Sequence, residues 1–261
     1  MEYWHLSITS RCRTAAFPDD DSRRCAVRAI DRSAGDAAFL FDVLPHRVEV
    51  AFLREAGGAG HLTNAVRRAL AHESAEPLEP PHRRPVESRA HLLWLVRHVL
   101  RACTDQSPDV HPAAWSGSCA QDLLGVRRLP RFRPRLREIL PRLRLRDIHE
   151  IVALPPAALV PASPADVRRG GAARLVRAAA AALCISSDLP ARAAPVVAAR
   201  RAAARLGTEA GIPTRELAWA LAVPGRTVRR LATERVDPSL TRAVLLRISL
   251  EELVGVPAIG A

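Results

Sequence analysis

Between Leu44 and Leu53 the chain runs LPHRVEVAFL. Val48, Val50 and Phe52 alternate with Arg47, Glu49 and Ala51, a period of two that predicts a strand with one apolar face. Arg47 and Glu49 then stand side by side on the other face. Just upstream, Ala38–Val43 (AFLFDV) reads as a second short apolar strand. Pro45 falls in the connection between them, where a missing N–H costs least. Two adjacent strands require a sheet, and the rest of the first half must complete and cover it.

Tyr3–Thr9 (YWHLSIT) is rich in strand formers and supplies a first strand. Ser22–Arg32 is expected to be a helix entered through the acidic run Asp19–Asp21. Gly57–Gly60 reads as a flexible connection, and His61–Ala75 as a helix with Leu62, Ala65, Val66, Ala69 and Leu70 at helical spacing. The four prolines in Glu76–Pro85 argue against regular structure there, and Val86–Ser88 is expected to be a short strand. Arg89–Cys103 is the strongest helix, with Leu92, Leu93, Val96, Val99 and Leu100 in one stripe. This order suits an α+β domain, an antiparallel sheet covered by helices, over residues 1–125.

Thr9-Ser10-Arg11, Phe17 with its Asp cluster, Leu44-Pro45, Leu92-Leu93, Val96-Arg97, Trp115-Ser116 and Leu124-Gly125 follow one another in a distinctive order. In that order the region resembles the HUH single-tyrosine transposases, especially the REP-associated tyrosine transposases. The resemblance implies a ferredoxin-like antiparallel sheet. In that family the motif strand carries His–hydrophobic–His, which holds a divalent metal, and a helical tyrosine attacks the scissile phosphate.

Here the matching strand positions are Arg47, Val48 and Glu49, and the late helix carries His91 and His98. The single tyrosine, Tyr3, lies in the first strand. The resemblance therefore implies a DNA-binding protein without strand-transfer chemistry, with no catalytic residue, metal ligand or cofactor. A divalent metal is expected only if the altered site still acts. His46 with Glu49 would need a bulge to share a face, and His91 or His98 would have to serve as a phosphohistidine nucleophile. Their plainer roles are filling space or facing solvent, and an ion pair for Arg47 and Glu49. Arg47 could also grip phosphate directly.

The net charge is +12, carried by 39 arginines and no lysine. Such a balance points to a polyanion, most often nucleic acid, although arginine and alanine richness also fits a GC-rich genome. The five cysteines are scattered without a CxxC, which argues against a zinc site or a disulfide framework and for a reducing cytoplasm. The N-terminus has no apolar signal core, and the longest apolar run, Ala178–Ile185, is too short to span a bilayer.

Residues 126–165 read as an Arg/Pro-rich connecting segment. Nine arginines fall between Arg127 and Arg146, broken by Pro130, Pro134 and Pro141. Arg131, Arg133 and Arg135 are the expected phosphate contacts, which give affinity without sequence specificity. A solvated face beside an acidic patch is the plainer reading. Pro155-Pro156 and Pro161–Pro164 mark a linker.

Residues 166–261 are expected to be all helical. Asp166–Cys184 forms one or two helices interrupted at Gly170-Gly171, Pro190 and Pro195 interrupt again, and Val196–Glu209 forms the next. Thr214–Leu221, capped by Thr214, and Arg226–Arg235 then flank a tight turn. Counting Thr214 as one, Ala218 falls at five, Val223 at ten, Val228 at fifteen and Leu231 at eighteen, the helix-turn-helix spacing. Ala222 takes position nine, where glycine is usual. Arg226, Thr227, Arg229 and Arg230 would project toward phosphates and guanine edges. With the preceding helix, the unit resembles the C-terminal DNA-binding domain of the bacterial replication initiator.

Ser239–Val254 is expected to be an amphipathic helix that caps the unit or forms a homodimer. The expected partner is DNA, single- or double-stranded, with no membrane. Two other readings stand beside it: an active transposase or nuclease with altered catalytic residues, and an interaction or repressor module whose basic face binds an acidic protein.

Overall fold

A computed structural model describes residues 2–12, 14–54, 58–107, 109–155, 159–189 and 193–255. Gly57, Pro156 and Pro190, three of the expected chain breaks, lie outside the described residues. The chain forms two compact units. The first comprises Met1–Leu124 and Leu129–Pro156, the second Gly125–Arg128 and Ala157–Ala261.

The first unit runs β1 (Glu2–Thr9), α1 (Asp20–Ala34), β2 (Ala38–Val43), β3 (Arg47–Arg54), α2 (Ala59–Ala71), β4 (His82–Pro85), α3 (Arg89–Gln106), α4 (Ala120–Leu123), α5 (Leu136–Ile139) and α6 (Leu145–Ile151). Its sheet has the order β2-β3-β1-β4, and every neighbouring pair is antiparallel. Leu6, Ile8, Val48, Val50 and Phe52 share one face and are fully buried beneath α1 and α2, which pack on each other and on β2 and β1. The alternation in Leu44–Leu53 sets that face.

Two local expectations change. The proline-rich stretch does form a strand, β4, because it pairs on one side only, with β1. On an edge, a residue without an N–H loses no ladder bond when that position faces outward. The approach to it is tied down as well, through Arg11 N to Pro77 O at 2.9 Å and Glu79 N to Thr9 O at 2.8 Å. Ser88, expected at the end of a strand, instead caps α3 by accepting from His91 N at 3.0 Å. The expected glycine connection is also shorter, since Ala59 and Gly60 already lie in α2.

Several of the sequence signals quoted for the resemblance meet at one corner. Asp19 and Ser22 form a capping box at the start of α1. Arg23 donates to Ser116 Oγ at 3.2 Å, to the Phe17 and Pro18 carbonyls at 3.2 and 3.1 Å, and to Asp20 at 2.7 Å. Its guanidinium lies 4.3 Å from the Trp115 ring centroid, and Trp115 Nε1 donates to Val43 O at 2.9 Å. Burial works against the Asp20 charge, but the Arg23 and Ser116 hydrogen bonds and the Arg23 and Arg24 charges outweigh it and lower its pKa. Gly117 completes the corner: a Cβ there would sit 2.2 Å from the Val43 carbonyl oxygen.

The segment expected to connect two domains is divided instead. Leu129–Pro156 clusters with the first unit because Phe132, Leu136, Leu140, Ile148 and Val152 are buried. Asp31 accepts from the backbone N–H of Arg131 and Phe132 at 3.0 and 2.6 Å, and Phe132 meets Phe41 edge-on.

The second unit contains α7 (Pro164–Ala182), α8 (Ala194–Glu209), α9 (Thr214–Ala220), α10 (Gly225–Thr233) and α11 (Pro238–Leu253). Its core is alanine, leucine and valine. Alanine at buried positions such as Ala199, Ala202 and Ala203 lets α8 lie close to its neighbours. The expected break in α7 is present: Gly171 has φ 74°, ψ 174° inside the helix. Pro213, rather than Thr214, is the N-cap of α9. The last helix is not amphipathic. Leu240, Ala243, Val244, Leu246, Ile248 and Leu250 are all buried as α11 packs on α7 and α8, so the apolar residues expected to mediate self-association are used within the unit.

Candidate nucleic-acid interface

In the second unit, α9 and α10 pack together and α10 packs on α8. Leu217, Leu221, Val228 and Leu231 are buried, and Ala218 and Val223 are partly buried. Ala222 has φ 50°, the left-handed conformation that makes glycine usual at that turn position. Arg226, Arg229 and Arg230 are exposed on α10 and Thr227 is half-buried. Arg230 is held by Glu234 at 2.8 Å. Arg226 and Arg229 have no carboxylate partner among the described residues.

In the first unit, Arg131 and Arg133 line a shallow depression of about 440 Å³ with Arg32 and Arg54. Arg131 is steadied by donating to the Arg32 carbonyl at 3.0 Å. Arg135 lies outside that depression and is paired with Glu138 at 2.9 Å, so its charge is already partly answered. A larger concavity of about 630 Å³ is lined by Leu93, Val96 and Leu140, by Arg89, Arg97, Arg101 and Arg142, and by the carboxylates Asp147 and Glu150. None of the four arginines has a carboxylate partner among the described residues.

Strand β3 carries a third cluster. Antiparallel pairing sets Ser7 opposite Glu49 and Thr9 opposite Arg47, and directly paired residues share a face. Glu49, with its side chain 3% exposed, accepts from His5 Nε2 at 2.6 Å and from Ser7 Oγ at 3.2 Å. Arg47 Nε lies 2.8 Å from Glu49 Oε1 as an ion pair without hydrogen-bond alignment. From α3, His98 reaches the same neighbourhood. Burial lowers its pKa, the Arg47 and His5 charges add to that, and Glu49 and Asp105 oppose it. Trp94 stacks on His98 with centroids 4.8 Å apart and planes 7° from parallel.

Arg47, Glu49 and His98 therefore converge, with His5. His91 instead stands about two turns from His98 on α3, against Trp94. His46 points elsewhere, 3.2 Å from the Thr14 carbonyl. Tyr3 packs edge-on against Phe39.

This cluster does not fit a divalent metal. The Glu49 carboxylate is already engaged by an imidazole, a hydroxyl and a guanidinium, and Arg47 brings its own positive charge to the place a cation would take. Among the described residues, no group of three or more His, Cys, Asp and Glu side chains is arranged to hold a metal ion. What the arrangement can do is bind an anion and orient an imidazole.

Sequence reasoning missed His5, Ser7, Arg32, Arg54 and Trp94. The alternation in YWHLSIT places His5 and Ser7 on one face, but only the pairing register sets them against Glu49.

No protein-family model matches the chain, and no curated protein matches it. Among solved structures, the chain is similar to a REP-associated tyrosine transposase bound to a REP hairpin, at 13% identity, with a TM-score of 0.38, over 45% of this chain and 76% of that one.

Proposed function

We propose that the protein is a DNA-binding protein in which α10 is the recognition helix and the arginines of the first unit add sequence-independent grip. The observation that carries this reading is the pair Arg226 and Arg229, exposed on α10 with no carboxylate to satisfy them, on a helix seated by Val228 and Leu231. Guanidinium groups in that setting suit phosphates and the O6/N7 edge of guanine. Arg230, tied to Glu234, contributes less. Arg131, Arg133 and Arg54 suit backbone phosphates, whereas Arg32, paired with Glu73 at 2.9 Å, contributes less. In this reading the first unit does not carry out tyrosine-dependent strand transfer, because Tyr3 is a strand residue packed on Phe39 and the Arg47–Glu49 pair is closed on itself.

The test is a mobility-shift titration of duplex DNA at low salt with wild type and the Arg226→Ala/Arg229→Ala double variant. The variant is expected to bind about tenfold or more weakly, since each good base contact contributes roughly 1–3 kcal/mol. Equal affinity would remove α10 as the recognition helix. No shift with the wild type would remove the reading altogether.

A further inference from the structure

The face that holds Glu49 continues across β1 to β4. His5 pairs with Arg84 and Ser7 pairs with His82, so two imidazoles, a guanidinium and a hydroxyl form a rectangle on one sheet face. Directly paired residues stand about 5 Å apart and diagonal ones about 7 Å, which puts His5 and His82 at opposite corners of that rectangle. These residues line a groove of about 330 Å³ together with Thr9, Glu49 and Glu79. His82 and Arg84 are exposed on the edge strand, whereas His5 is 15% exposed and is held from behind by Glu49 at 2.6 Å. A carboxylate that accepts from Nε2 orients the ring, and in the neutral form of His5 it leaves Nδ1 as the unprotonated nitrogen.

We propose that this groove cleaves single-stranded RNA without a metal, by internal transfer. A base, an acid and a cation around one phosphate suffice only where the substrate brings its own nucleophile, and the ribose 2′-hydroxyl is one. His5 Nδ1 takes the 2′-hydroxyl proton as the 2′-O–P bond forms. The P–O5′ bond breaks, and protonated His82 gives its proton to the departing O5′. The products are a 2′,3′-cyclic phosphate and a 5′-hydroxyl, and the two histidines exchange their protonation states through water. Arg84 offsets the charge that builds on the phosphoryl oxygens. Glu49 is a positioning residue. A single strand is required because attack in line with the leaving oxygen needs a splayed backbone. DNA, with no 2′-hydroxyl, would enter the groove uncut, so this activity is independent of the DNA-binding reading.

The experiment incubates the full-length protein, in EDTA, with an end-labelled oligodeoxynucleotide carrying one ribonucleotide, and with an all-DNA control. Cleavage is expected only after the ribonucleotide, leaving a cyclic phosphate. His82→Ala and His5→Ala should each slow it by about 10²-fold or more. Glu49→Gln should lower kcat with KM unchanged, and Glu49→Asp should restore part of it. His82 is exposed on an edge, so its variant keeps the test valid if the part-buried His5→Ala does not fold. An uncut ribonucleotide, equal cleavage by wild type and His82→Ala, or cleavage that needs added magnesium would each overturn the proposal.

Discussion

Arg23 shows how one charged side chain can hold a corner together. It is 8% exposed, yet each of its three guanidinium nitrogens donates, to Ser116, to the Phe17 and Pro18 carbonyls and to Asp20. Removing the guanidinium leaves buried acceptors without donors, and that costs more than the net value of the bonds. Arg23→Ala is expected to destabilise the first unit by about 3 kcal/mol, read as a lower midpoint in urea followed by tryptophan fluorescence. His98 makes a second prediction. Its pKa lies below the ordinary imidazole value of 6.5, first through burial and then through Arg47 and His5. Because the unfolded chain then takes up protons more readily than the folded one, stability is full above about 6.5 and falls as pH drops toward the folded value. His111, also lowered by burial, adds to the same trend. His98→Gln should flatten, without abolishing, the loss of thermal stability between neutral and mildly acidic pH.

At the scale of elements, the turn between α9 and α10 is the most exposed to a simple test. Ala222 holds φ 50°, and an L-residue with a Cβ pays about 1 kcal/mol there relative to glycine. Ala222→Gly is expected to raise the melting temperature of the second unit by a few degrees, measured by circular dichroism. The strand at Leu44–Leu53 and the helices on either side of that turn were legible in the sequence because their periodicities are local. The edge strand β4 was not. Its prolines argue against a strand on propensity alone, and only the neighbouring β1, which supplies the pairing, makes four residues of His-Arg-Arg-Pro into part of a sheet. The burial of α11 on so many sides was hidden for a similar reason: polar residues interrupt its apolar stripe, and its neighbours α7 and α8 come from elsewhere in the chain.

At the scale of the whole molecule, the excess positive charge lies mainly in the second unit, which carries +9 of the +12 against +3 in the first. Some of the arginines are spent internally, as Arg23 is in the first unit and as Arg128 is against Asp237 in the second. Others stand free around concave surfaces or on α10. If four to six of these meet phosphates, raising the salt fourfold should weaken nonspecific DNA binding by roughly 10²- to 10³-fold. A fluorescence-anisotropy titration across salt concentrations measures that slope. A flat response would mean that the arginines serve the fold or a neutral partner instead. Among the described residues no helix is long and apolar enough to cross a membrane.

Alternation in β3, the helical periodicity of α9 and α10 and the arginine excess are properties of neighbours along the chain, and for these the amino-acid order alone was sufficient. It placed Arg47 beside Glu49 and set Val223, Val228 and Leu231 at their positions relative to Thr214. Strand register, by contrast, is decided between segments far apart in sequence. Only the pairing of β1 with both β3 and β4 brings His5, Glu49, His82 and Arg84 to one groove, and only the packing of α3 sets His98 near Glu49. Those contacts follow from which apolar faces bury together, a choice the three-dimensional fold makes as a whole.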